Sequence, residues 1–419
     1  MKKLITSRDH ASHPIGMAVG YGQNVLGKQK THMALLEKVN EVNWESLKHA
    51  YGSAKDIPDD LRNLASQDEK IRGKALYNLY GNIFHQGTRY EATPYAIPFL
   101  YELIHTEAVR DKHKIVALLI NLALGYEEEY LPEGIDVEKF KKGLLESEAQ
   151  MTQDQKANCE KYGYSASAII NCYDYVKEGI PILLQYLENQ DNNLRKSVIY
   201  AISWFPELAE SSIAKITDQL PNLEEEKEIA NAILAIGLLA RRSSNESDIS
   251  GLRKYLNAAS QLVRICTAIA LAKHPIEKKI LEALIDGLIS SEALSEVEGI
   301  HFNEGRISGY ASLTLSKFGQ FEKNKIIPVL CKVLETVNSY QALDITHAML
   351  SIINSDRSKP IKDERLEDLT LLEVEALTSI YEHGGWTLAK GGFVNYFQLL
   401  RSAGIPDSKE ELGKYLTKI

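Results

Sequence analysis

The chain has 419 residues, with 48 Lys and Arg against 57 Asp and Glu, a formal charge of −9. Apolar residues make up 44% and charged residues 25%, which excludes a disordered chain. No run approaches the ~18 apolar residues of a membrane-spanning helix, and the acidic balance argues against a protein that coats nucleic acid.

At ~150 residues per domain, the length allows about three domains or one elongated repeat array. Residues 1–33 stand apart: Lys2, Lys3, Arg8, Lys28 and Lys30 face Asp9 alone, a local charge of +4 that leaves −13 on the remainder. Leu4-Ile5 is too short for the apolar region of a signal peptide, and four glycines break any helical period. The expectation is a flexible basic leader ahead of Met33 that need not be native. Scattered His10, His13 and His32 lack metal-ligand spacing, and no metal or cofactor is expected anywhere in the chain.

From Val42 onward the sequence repeats. The unit is a helix with Pro or Ile near its start, an apolar stripe ending in Leu, a short polar turn, and a second helix. Ile57-Pro58 to Leu64 leads through Asp68–Arg72 into Ala75–Leu79, and Ala96-Ile97-Pro98 to Leu103 leads into Ile115–Leu122. Ile180-Pro181 to Leu187 leads through Asp191–Arg195 into Ser197–Trp204. Further copies start near Ile213, Ile249, Ile280 and Ile326, and the closing leucines Leu187, Leu220, Leu256, Leu288 and Leu334 lie 33, 36, 32 and 46 residues apart. The longest interval holds a loop insertion around Ser295–Gly305. Such a period with paired helices predicts an all-α fold, a right-handed α-solenoid whose units bury their apolar faces only by stacking.

Pro58, Pro98 and Pro181 fit the first helical position, where a missing N–H costs nothing. In the Asp-x-x-x-Arg turns, Asp is expected to cap the second helix while Arg bonds turn carbonyls or an Asp of the next unit. Gly125–Gly179 interrupts the rhythm as a helical insertion, with short helices expected at Val137–Leu145 and Ser165–Val176. The end, from Leu369, reads as a helical cap, with Ser408 and Glu411 placed as a capping box.

The four cysteines form no Cys-x-x-Cys pair. Too few for a disulfide framework in so long a chain, they point to a reducing, cytoplasmic setting. Cys172, Cys266 and Cys331 sit in apolar helical patterns and are expected to be buried hydrophobes.

Several strings go beyond generic patterning. Trp44, Leu47 and Ala50-Tyr51-Gly52 precede Asp56-Ile57-Pro58, then come His85-Gln86-Gly87-Thr88 and Ala92-Thr93-Pro94-Tyr95-Ala96-Ile97-Pro98. Together with Cys172-Tyr173-Asp174, Ser203-Trp204-Phe205-Pro206 and Gly404-Ile405-Pro406, these resemble a large group of bacterial HEAT-repeat proteins over roughly residues 42–416. The resemblance implies a superhelix and a protein-interaction role, and it brings no catalytic set. The organisation expected is the leader 1–33, N-terminal HEAT-like units 34–124, the insertion 125–179, central units 180–368 and a cap 369–419.

His85 and Gln86 are candidates to hold a partner's backbone, against a purely local role for His85 at a helix end. Tyr80, Tyr90 and Tyr95 join them as candidate partner-binding residues, because Tyr brings large rigid contact area with a polar tip. The acidic runs Glu127–Glu129 and Glu224–Glu226 read as solvated loops, with attraction of a basic partner as the minority reading. No Gly-x-Ser-x-Gly, Walker loop or His-Glu-x-x-His is present. Gly305-Arg306-Ile307-Ser308-Gly309 is taken as a turn entering a helix, since a phosphate loop would need a Lys and a preceding strand.

The function expected is therefore a non-catalytic HEAT-repeat scaffold that binds another protein, with a toxin-neutralising immunity role as one form of it. The alternative carried beside it is a HEAT-like enzyme on nucleic acid such as a DNA-base glycosylase. That chemistry needs a basic groove, which the −13 charge disfavours.

Overall fold

A computed structural model describes residues 35–242, 249–273, 276–289, 296–388 and 391–417. The leader expected at 1–33, and the start of the loop expected near Ser295, lie outside the described residues. The described chain is all-α apart from two short antiparallel hairpins. It divides into two compact units. The first runs through Glu129 and takes up again at Ile135–Phe205; the second holds Tyr130–Gly134 and the chain from Pro206 onward.

The first unit opens with the hairpin β1 (Lys48–His49) and β2 (Gly52–Ser53). Helices α1 (Ile57–Asn63), α2 (Glu69–Asn82), α3 (Thr93–His105) and α4 (Lys112–Leu124) follow. Then come α5 (Val137–Ala149), α6 (Gln153–Tyr162), α7 (Ala166–Leu183) and α8 (Asn192–Ile202). Helix α1 packs on α2 and α3, α3 on α4 and α7, and α4 on α7 and α8. The reason is visible in α4, where Ile115, Leu118, Leu119 and Leu122 form one buried face. Each such side chain contributes ~1.5–3 kcal/mol by leaving water.

The polar turns behave as their sequence predicts. Asp68 accepts from the Lys70 N–H at 2.8 Å and Asp191 from the Asn193 N–H at 2.9 Å, capping α2 and α8. Arg72 Nη1 donates to the carbonyls of Ser66 and Gln67, while Nε reaches Asp111 of the next helix pair at 2.7 Å. One guanidinium thereby closes its own turn and ties it to the following one.

The second unit contains α9 (Ala209–Gln219), α10 (Glu226–Arg242), α11 (Gln261–Leu271), α12 (Lys278–Ile289) and α13 (Ile307–Ser316). After α14 (Gly319–Leu334), α15 (Ser339–Ile353) and α16 (Leu371–His383) come the hairpin Thr387–Leu388 with Gly391–Gly392, then α17 (Val394–Ser402) and α18 (Lys409–Leu416). Helix α10 packs on α11, where Gly237 faces Ala270. Ser408 caps α18 by accepting from the Glu411 N–H at 3.2 Å. The copy expected near Ile249 opens with a 3-10 stretch, Ser250–Asn257, in place of an α-helix. Gly305–Gly309 is the turn into α13: Arg306 precedes its first residue and is committed to Asp344 at 3.1 Å. Among the described residues, no helix is long and apolar enough to cross a membrane.

The prolines depart from expectation. Pro58 sits in the first turn of α1, but Pro98 lies inside α3, whose first turn holds Pro94 instead. Pro181 and Pro328 likewise lie inside α7 and α14. An internal proline gives up one backbone bond. In α7 packing overrides that cost, because Ile169, Cys172, Tyr173, Val176, Ile180 and Leu183 keep one continuous buried face across the proline. The short helix expected at Ser165–Val176 and the one expected to start at Ile180 are therefore a single element.

Candidate functional site

The residues singled out in the sequence cluster at the connection between α2 and α3. Ile83 and Phe84 are buried and end α2's apolar face, after which His85–Gly87 makes a single 3-10 turn. Gln86 (φ 50°) and Gly87 (φ 81°) are both left-handed, a conformation that suits Gly and is strained for Gln. Gly87 is required for a second reason: a Cβ there would lie 2.8 Å from the Tyr126 ring. Arg89 is buried and its Nη1 donates to the Gly87 carbonyl, so a charged bond from inside holds the turn.

The β1–β2 hairpin presents Tyr51 to this turn. Its phenol lies 3.3 Å from His85 Nδ1, and the two rings meet edge to face with centroids 5.4 Å apart. Tyr51 is 70% exposed, and on the other side of the turn Tyr126 is 50% exposed while its ring packs edge-on to Phe84. Tyr51, His85, Gln86 and Tyr126 thus form an aromatic and polar platform that faces solvent.

Beneath it, His49 Nε2 lies 2.9 Å from Asp56 Oδ1, and the Tyr51 N–H donates to His49 Nδ1 at 3.0 Å. These bonds assign the ring proton to Nε2. Asp56 also accepts from Asn82 Nδ2 at 3.0 Å. An Asp–His pair is two thirds of a nucleophilic triad, but here the remaining ring nitrogen is occupied by a backbone N–H. The pair pins the hairpin to the end of α2 and has no nitrogen left to take a proton from a hydroxyl or thiol.

The five sequence candidates do not share one surface. His85 is half-buried and Gln86 exposed, both on the platform. Tyr80 turns inward, its phenol donating to Asn121 Oδ1 at 3.0 Å, and burial followed by the Glu127 charge pushes its pKa up. Tyr90 is buried; its N–H donates to Thr93 Oγ1, which in turn donates to the Ile83 carbonyl, both at 2.8 Å. Tyr95 is half-buried on α3 and lies in the electrostatic surroundings of Tyr175.

Glu127 overturns its sequence reading as a solvated loop residue. It is 8% exposed, accepting from Tyr200 Oη at 3.1 Å and from Asn121 Nδ2 at 2.9 Å. Burial, with the neighbouring Glu128 charge behind it, raises its pKa to about 7. Tyr51, Tyr126 and Glu127 were missed as site residues, since no local periodicity separates an exposed tyrosine or a buried glutamate from its neighbours. Three of the four thiols are buried away from any substrate: burial lifts Cys172 to about 12 and Cys331 to about 11, and Cys266 higher still, while Cys159 is half-buried on α6.

No family model matches the chain, and no curated protein matches it. Among solved structures, the chain is similar to a crystal structure of an engineered protein at 16% identity, over 87% of this chain and 95% of that one, with a TM-score of 0.29.

Proposed function

We propose that the chain is a non-catalytic α-solenoid of HEAT-like helix pairs, cytoplasmic, whose task is to bind another protein. The observation that carries this reading is the Tyr51–His85–Gln86–Tyr126 platform. Large aromatic side chains are held in solvent on a turn that Arg89, Gly87 and the His49–Asp56 pair make rigid, which lowers the ordering cost of an interface. The occupied His49 nitrogen and the burial of Cys172, Cys266 and Cys331 support a binding role over a catalytic one. The net charge of −9 suits a basic partner, a masked toxin being one form of it, with association that weakens as salt rises.

The test is affinity purification of the tagged chain from its native host at low and moderate salt. A protein partner is expected to be retained by the wild type and by Tyr77→Ala, whose ring is 79% exposed elsewhere on α2. It is expected to be lost with Tyr51→Ala combined with Tyr126→Ala. If no protein is retained, or if Tyr77→Ala releases it equally, the reading fails.

A further inference from the structure

The second unit carries a cleft of about 330 Å³ that the platform does not involve. That volume falls in the ~300–1,000 Å³ range of small-ligand pockets. Its floor is apolar and buried, built from Leu131, Pro132 and Leu313. Its rim is polar and exposed, with Lys317 and His347 as the ionisable members and Ser351 among the hydroxyls. Apolar floor and polar rim are brought together by α13, α15 and the segment Tyr130–Gly134. That segment is held by Arg241 Nη1, which donates to the Pro132 carbonyl at 2.8 Å, and by Arg242 Nε, which donates to the Glu133 carbonyl at 3.0 Å.

The charged groups around the cleft are mostly committed to one another. Glu133 is the carboxylate nearest the rim, 3.9 Å from Lys317 and 4.0 Å from Arg241, so one anion is shared between two cations. Asp344, one turn before His347, is turned to Arg306 at 3.1 Å and Asn303 at 2.9 Å. Asp356 faces Gln320 and Lys323. Arg306 is shared between Asp344 and Glu304, so the cation that the cleft lining itself supplies is Lys317, with Glu133 at 3.9 Å beside it. A cation beside an imidazole and above an apolar floor recognises an oxyanion attached to an apolar body.

We propose that this cleft binds a small molecule carrying one carboxylate or phosphate group on an apolar body. Lys317 and His347 hold the oxyanion, and Leu131, Pro132 and Leu313 hold the body. The apolar floor is what distinguishes this ligand from free inorganic phosphate, which fits the rim and leaves the floor wet.

The test is calorimetric titration of the full chain at low salt with benzoate, phenyl phosphate, inorganic phosphate and the neutral benzyl alcohol. Benzoate or phenyl phosphate is expected to bind, more tightly than either inorganic phosphate or benzyl alcohol; which of the two binds better identifies the oxyanion. Lys317→Met is expected to weaken that binding about tenfold or more. The exposed Lys142→Met, which changes the charge equally in the other unit, is expected to leave it unchanged. His347→Gln is expected to retain part of the affinity, because an N–H donor remains. Both rim side chains are exposed, so these variants fold. Four results would each overturn the proposal: no binding of either aromatic anion, benzyl alcohol binding as tightly, Lys317→Met binding as the wild type does, or Lys142→Met weakening binding as much as Lys317→Met.

Discussion

The phenol of Tyr200 on α8 donates to Glu127 at 3.1 Å, closing a bond between residues 73 positions apart in sequence. With Asn121 and Tyr80 it makes a partly buried polar chain within the first unit. Burial and Glu128 raise the Glu127 pKa from 4.5 to about 7, so the folded state favours the protonated acid. The unfolded chain releases that proton at lower pH. The contribution is therefore whole below about pH 4.5 and is lost as pH rises through about 7. At ~1.4 kcal/mol per pH unit, Glu127 removes about 3 kcal/mol of stability across that window. Glu127→Gln carries an acceptor without the charge. Thermal unfolding between pH 5 and pH 8 should show a falling stability for the wild type and a flatter profile for Glu127→Gln, with the variant the more stable at pH 8. Parallel profiles would show that Glu127 does not titrate in this window.

The Arg of the repeated turn does two jobs, and its copies separate them. Arg72 bonds two turn carbonyls and also Asp111, whereas Arg264, four residues after the Ser260 that caps α11, bonds the carbonyls of Ala258 and Ala259. Arg72→Met leaves Asp111 without its main partner and is expected to cost about 2–4 kcal/mol. Arg264→Met is expected to cost about 1–2 kcal/mol. Denaturant unfolding of the two variants measures the difference, and equal losses would mean that the tie to Asp111 adds nothing.

This turn was legible because its chemistry is local: Asp68 reaches an N–H two residues on, and Arg72 reaches carbonyls five and six residues back. The all-α class was legible for the same reason, through apolar spacing within single helices. What the sequence left open depends on partners far along the chain. Glu127 is buried by Tyr200, and nothing between residues 125 and 130 announces a phenol on α8. Tyr80 and Tyr90 looked like surface aromatics because composition ignores side-chain direction: helix rotation turns Tyr80 toward Asn121, and the connection before α3 buries Tyr90. Of the five candidates, the platform keeps His85 and Gln86, and it gains Tyr51 and Tyr126 from a hairpin and a helix end. Pro98 and Pro181 were misplaced because a rule about helix starts was applied where packing continues the helix through the proline.

Tyr51 and Tyr101 separate a tyrosine kept for its surface from one kept for the core. Tyr101 is buried, donates to the Val176 carbonyl at 2.7 Å, and its ring fills the space left by Gly179. Tyr101→Phe removes that buried bond and should cost about 1–2 kcal/mol. Tyr51→Ala should change stability by less than about 0.5 kcal/mol, as its ring stands in solvent. Thermal melting of the two variants is the check; a larger loss from Tyr51→Ala would make it a structural residue and remove it from the platform.

Two glycines in helices should respond to alanine with opposite signs. In α10, a Cβ on Gly237 would lie 2.5 Å from both Cα and Cβ of Ala270, and 3.1 Å from its carbonyl oxygen. The obstacle is backbone, which no rotamer change moves aside, so α10 and α11 must separate along a contact that also buries Ile233 and Ile269. Overpacking of this kind costs about 1–3 kcal/mol. In α5, nothing lies within 4 Å of a Cβ on Gly143. There alanine only restricts the unfolded chain and raises helix propensity, a gain of about 0.5–1 kcal/mol. Denaturant midpoints for Gly237→Ala and Gly143→Ala should therefore move in opposite directions. If both rise, the α10–α11 contact is loose enough to admit a methyl group, and the second unit is not held together by that close approach.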